Sequence, residues 1–258
     1  MFATLLATAT LMTTAGAAPQ ADTTTTRYRV DTRTESVADL SGLGAGEQRQ
    51  TLGMSSFLTV QLTDTTGGQS FRVVVDSMTI EAGSPIPPAM ADSIRGMTWT
   101  GLLSPEGKVS NLVSPSGPVN QQFTQMLNSF FPRTKQSMAP GARWVDTVEV
   151  KNSDSTTTSD ARTITQWSVA GTEQRDGVEA TRLDAAFELT MTASGQTPQG
   201  AMDMQGTGTG KATYFVGPGG LYLGGTSEMQ NEMTLSVAAA PMPIPVTATT
   251  TTTVSQLR

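Results

Sequence analysis

RLDAAFELTMTASG, residues 182–195, sets Leu183, Ala185, Phe187, Leu189 and Met191 at every second position with polar or small residues between them. Successive side chains of a strand point to opposite faces, so this pattern describes a strand with one buried face. It is the clearest alternation in the chain, and its neighbours repeat it. Trp144, Val148 and Val150 share one face of a strand ending near Asn152, with a polar turn over Ser153–Ser159, and Ile164–Val169 forms the next strand. Glu173–Gly177 turns that strand into the one quoted.

Moving outward, Gly195–Gly210 reads as a glycine-rich connection. Tyr214 and Val216 face Leu221 and Leu223 across Gly217-Pro218-Gly219-Gly220, and Met233, Leu235 and Val237 continue the series. Pro241–Pro245 leads to a last strand near Val246–Val254. In the N-terminal half, Tyr28 and Val30 begin a first strand, and Gly42–Gly46 marks a loop. Leu58, Val60 and Leu62 pair through Thr66-Gly67-Gly68 with FRVVVDSMTIEA, residues 71–82. SPIPP, residues 84–88, ends that hairpin because proline donates no ladder hydrogen bond. A short helix is expected over Pro88–Arg95, stopped at Gly96. Thr98–Val113 folds back around Ser104-Pro105-Glu106-Gly107, where proline presets the turn and glycine supplies positive φ. Consecutive strands joined by short turns pair antiparallel, and the turn spacing points to a barrel or strongly curved sheet.

One stretch breaks the pattern. Val119, Phe123, Met126, Leu127, Phe130 and Phe131 recur at the spacing of one helical face, while Asn120, Gln121, Gln125, Asn128 and Ser129 make the other. Pro118 suits the first turn and Pro132 ends the helix. The expected architecture is therefore mainly β with one or two helices: a curved antiparallel sheet or half-barrel, with an amphipathic helix over 118–131 packed on its concave face.

Composition narrows the role. The 258 residues are 37% hydrophobic, 5% aromatic and 15% charged, with a formal charge of −6. Such a balance fits neither a disordered chain nor a helical membrane protein, and no later apolar run is long enough to span a bilayer as a helix. Without a basic cluster, nucleic acid is a poor partner. MFATLLATATLMTTAGAAPQAD reads as a signal peptide over 1–17, with an apolar run from Phe2 to Met12 and Ala15-Gly16-Ala17 as the cleavage pattern. A Thr-rich spacer over 18–26 and a single domain over 27–258 would follow. With no Cys the balance tips toward a bacterial periplasmic or secreted protein.

The chain has no His, so a Ser-His-Asp triad and an imidazole base are excluded, and with no Cys a zinc or redox-metal site is unsupported. GTGTG, residues 206–210, resembles a dinucleotide loop but precedes a strand instead of joining strand to helix. Paired carboxylates at about 5–10 Å would allow glycoside hydrolysis. Asp146 and Glu149, however, fall on alternate faces of one strand and read as solvated. No cofactor is expected. An outer-membrane barrel would need aromatic girdles that three Trp and three Tyr cannot supply.

FFPRTKQSMAPGARWVDTVEV, residues 130–150, with its Pro132, Gly141 and Trp144, and GTGTGKATYFVGPGGLYLGG, residues 206–225, resemble segments of an uncharacterised family of bacterial exported proteins, a domain of unknown function. The resemblance covers roughly residues 98–237. That family is similar in architecture to the half-barrel carriers typified by LolA and the mycobacterial lipid-carrying lipoproteins, in which a curved sheet wraps an apolar cavity under helices. It implies fold and compartment, and it carries no named functional residue across. The expectation is a non-enzymatic exported binding protein that holds a lipid or acyl chain between the sheet and the 118–131 helix. Phe123, Met126, Leu127, Phe130, Phe131 and Trp144 would line the site. The competing expectation is a structural or envelope-interaction protein with a filled core, and a weaker one is a carboxylate-based hydrolase.

Overall fold

A computed structural model describes residues 22–84, 88–115, 126–127, 130–134, 138–153, 157–175, 177–197, 200–238 and 242–257. It shows one open sheet of eleven antiparallel strands. These are β1 (Thr23–Asp39), β2 (Glu47–Thr65), β3 (Gly68–Ile80), β4 (Thr98–Leu103), β5 (Val109–Val113), β6 (Arg143–Ser153), β7 (Thr157–Arg175), β8 (Val178–Thr197), β9 (Gly200–Val216), β10 (Tyr222–Val237) and β11 (Ile244–Leu257). A short helix, α1 (Pro88–Ser93), follows β3, and Gly96 beyond it has a φ of 77°. The order across the sheet is β5-β4-β3-β2-β1-β11-β10-β9-β8-β7-β6.

The chain thus starts in mid-sheet, walks to one edge, crosses to the other and walks back until its last strand pairs with its first. Val30 lies opposite Val254, and Ala38 opposite Val246. Consecutive strands pair throughout except β5 and β6, which form the two edges. The expected mainly β, curved, half-open architecture is what the chain adopts, and the open edges set it apart from a closed barrel.

Many strands run well past the usual five or six residues, because Thr, Val and alternating apolar residues continue without an internal proline. β1 begins at Thr23, so Thr23–Thr26, expected as spacer, pair with Val60–Thr63 of β2. Thr26 is buried. Bulges bend the long ribbons. The shifts between Val169 and Gly171 and between Tyr222 and Gly224 each place a glycine at positive φ, 141° and 110°, where a side chain would be strained.

The larger correction concerns Gly195–Gly210. It is not a connection: apart from the turn between Thr197 and Gly200, it belongs to β8 and β9. Gly206, Gly208 and Gly210 alternate with Thr207 and Thr209, so the glycines share one face. A Cβ at Gly206 would collide with Met233, at Gly208 with the Asn231 amide and at Gly210 with the Phe187 ring. Glycine is required because large side chains of β8 and β10 lie across the floor of β9. Gly210→Val should lower stability by about 1–3 kcal/mol through overpacking against Phe187, whereas Thr209→Val, on the opposite face, should change it little; urea denaturation of the two variants distinguishes them.

Candidate functional site: the inner face of the sheet

The face carrying Trp144, Leu183, Val30 and Leu58 holds the core, and the register extends it row by row. At one end an aromatic chain fills it. Trp144 stacks on Trp167 at 6.0 Å, Trp167 meets Tyr214 at 5.2 Å, and Tyr214 meets Tyr222 at 6.1 Å. Tyr222 stacks on Tyr28, whose hydroxyl donates to the Tyr222 carbonyl at 2.7 Å. Phe130 packs edge-on against both tyrosines, and Phe131 reaches Phe71 at 5.6 Å. These aromatics thus run across the sheet from β6 to β3 at one end of its inner face.

The expected site residues separate accordingly. Met126, Leu127 and Phe130 are helical and, with Phe131, join the core of β1–β4. Leu127, Phe130 and Phe131 are 0%, 4% and 5% exposed, so any ligand at those side chains would have to displace them. Trp144 belongs to the second cluster, with Trp167, Val169, Leu183 and Ala185. Phe123 and the first turns of the expected helix lie outside the described residues.

Beyond the Phe130 helix the chain passes between the two sheet edges. Thr134 donates its backbone N–H to the Glu106 carbonyl and its hydroxyl to the Pro105 carbonyl, at 2.9 and 2.8 Å. Arg133 donates to the Gly107 carbonyl at 2.8 Å, and its Nε lies 3.2 Å from Asp146 Oδ2 on β6. The guanidinium therefore links the β4–β5 turn on one side to β6 on the other. Its side chain is 13% exposed and that of Asp146 36%, so Asp146, expected to be solvated, is a half-buried partner on the inner face. Burial lowers the Arg133 pKa, opposed by Asp146 and Tyr214. Neither residue was legible as a pair, because Arg133 lies in a different element and no local spacing announces it.

Asp146 matters for what surrounds it. From the Trp144–Trp167 row to the far tips, the inner rows are Asp146-Thr165-Phe187-Gly210-Met229-Thr250, then Val148-Thr163-Leu189-Gly208-Asn231-Ala248, then Val150-Ala161-Met191-Gly206-Met233-Val246. Ala193, Met204, Leu235 and Ile244 follow. Among these described positions, and those of β1 and β2 that continue the rows, Asp146 is the single charged side chain, and Arg133 offsets it. The far apolar residues, including Val148, Leu189, Met191, Met204 and Met233, are half-buried: neither sealed in the core nor free in solvent. The outer face of the same strands carries Glu149, Arg162, Thr190, Thr207, Glu232 and Thr247 in a single row. Two open grooves, of about 800 and 550 Å³, are lined largely by threonines and charged groups, with Met191, Met233 and Val246 in the first and Met54 and Ile80 in the second.

Neither a protein-family model nor a curated protein matches the chain. No helix among the described residues is long and apolar enough to cross a membrane.

Arg133→Ala should cost about 1–3 kcal/mol, the value of a charge-assisted bond network, and Asp146→Asn in that background should add little. A double-mutant cycle in urea reads the coupling. Tyr28 and Tyr222 are buried in this core and Tyr214 is partly buried, and burial raises each hydroxyl pKa, that of Tyr214 to about 12. Neutral buried tyrosines favour the folded chain fully below their unfolded value of 10.0, and that contribution is lost as pH rises through about 12. Stability should therefore fall over this interval, and Tyr214→Phe should flatten part of the fall, as followed by denaturation at successive pH values.

Proposed function

We propose that this protein is an exported, non-enzymatic binding protein that holds an apolar ligand of the lipid or acyl-chain class against the inner face of its curled sheet. The observation that carries the reading is the asymmetry of the long strands beyond the aromatic core. Their inner positions are mainly methionine, leucine, valine, isoleucine, alanine and glycine, with Thr163, Thr165, Thr250 and Asn231 among them and one neutralised charge, while their outer positions are mainly threonine, glutamine and charged residues. A surface of this kind on a chain in water calls for something to cover it.

The dimensions suit an extended chain. From Leu189 to Gly195 the strand rises roughly 20 Å, and each methylene removed from water contributes about 0.8 kcal/mol. Met191, Met204 and Met233 are unbranched and adaptable, which favours ligands of varied shape over one rigid partner. The resemblance of residues 130–150 and 206–225 to an uncharacterised exported family, itself similar in architecture to half-barrel carriers, points the same way, as does the signal-like N-terminal segment. The helix with Phe130 and Phe131 then closes one end of the bed and does not line it. The tight packing of those rings favours a second reading, a filled-core protein acting through its surface on an envelope partner.

The two readings separate by extraction. Protein purified without detergent from its native host should release a stoichiometric lipid on organic extraction and mass spectrometry, and the stripped protein should take up a fluorescent fatty acid. Met191→Asp should lower that uptake at least tenfold with the circular dichroism spectrum unchanged. No lipid and no uptake would leave the surface-acting reading.

A further inference from the structure

Asn231 sits in the middle of the inner face, at the boundary between the filled end and the half-buried apolar rows. Its row neighbours are the two smallest available, Gly208 on β9 and Ala248 on β11. Along its own strand it is flanked on that face by Met229 and Met233. The residue is 8% exposed, and its Oδ1 has no hydrogen-bond partner. The amide lies over Gly208, where any Cβ would strike that oxygen. A buried acceptor left unpaired costs about 1–3 kcal/mol, and a leucine, with the same branching but no polar atom, would avoid that cost. The nearest charge on the face, Asp146 two strands beyond Leu189, is already offset by Arg133.

We infer that Asn231 is the polar anchor of the ligand site, and that the site takes a neutral amphiphile carrying a hydroxyl: the hydroxyl donates to the Asn231 amide oxygen while the chain runs along Met191, Met204 and Met233. The last torsion of an asparagine is broad, so the amide turns from Gly208 to meet the ligand without leaving its rotamer. Among the described residues an anionic headgroup finds no free cation on this face, and an ester without a donor leaves the oxygen unpaired. The inference rests on the apolar-ligand reading above and specifies its headgroup.

The test uses the full mature protein, stripped of lipid, and displacement of a fluorescent acyl probe by a long-chain fatty alcohol and by the fatty-acid methyl ester of the same length. The alcohol should bind about tenfold more tightly than the ester, the value of one hydrogen bond to a buried acceptor. Asn231→Leu should abolish that preference while keeping or improving ester binding. Without ligand, the same variant should melt at the same temperature as the parent or higher. Equal affinity of alcohol and ester in the parent, or a preference that survives in Asn231→Leu, overturns the anchor and leaves the apolar-ligand reading intact. A variant that melts lower shows the amide to be satisfied within the fold, and so also overturns the anchor. Failure of every acyl compound to bind the parent overturns both.

Discussion

The pairing of β1 with β11 governs the rest of the molecule. Once the first and last strands are neighbours, every other consecutive pair of strands is joined in the sheet except β5 and β6, which do not pair with each other. The sheet therefore has two edges that are consecutive in the chain but opposite in space. The segment between them must travel from one edge to the other, and on a curled sheet the short path lies across the inner face. Helix, aromatic cluster and the Arg133 bridge all belong to that one connection. Their position follows from topology before any side-chain preference is considered.

That logic explains how far the sequence could be read. The period-two alternation of Leu183–Met191 and of Leu58–Leu62 identifies strands because burial on one face is a local property, visible in local spacing. Gly107 and Gly96 announce their turns because positive φ is also local. By contrast, GTGTG looks like a connection as long as its neighbours are unknown. Its glycines make room for Phe187, Asn231 and Met233, residues set on β8 and β10, and no window of the sequence contains all of them. Thr23–Thr26 looked like spacer because threonine-rich runs suit linkers and edge positions alike. Pairing with β2 decides the matter, and it is remote.

The candidate site divides along the same line. The apolar spacing of Met126, Leu127, Phe130 and Phe131 revealed a buried face but could not say whether core or ligand covers it, since both demand the same residues. In the fold, Tyr28, Tyr222 and Phe71 cover it. The surface better suited to a ligand was spread over β6 to β11, a few residues per strand, where only the register collects it. Its defining property is a set of described rows whose one charge is offset by Arg133, and such a property is invisible until the faces are assigned.

The two ends of the inner face also differ in how they are built. The filled end uses rigid rings, which bury large area at low conformational cost and lock into edge and stacked contacts. The other end uses methionine, alanine and glycine, which specify little and adapt readily. A core meant only to hold the sheet together would gain from extending the rings, since loosely specified packing sacrifices uniqueness before stability. Threonine and charge on the outer face show that polar residues are tolerated on these very strands, so the far inner rows are not apolar merely because β-strands favour such residues. Placing the rigid cluster where the edges are bridged fixes the curl of the sheet, and that fixed curl allows the rest of the face to stay adaptable without the fold losing its shape.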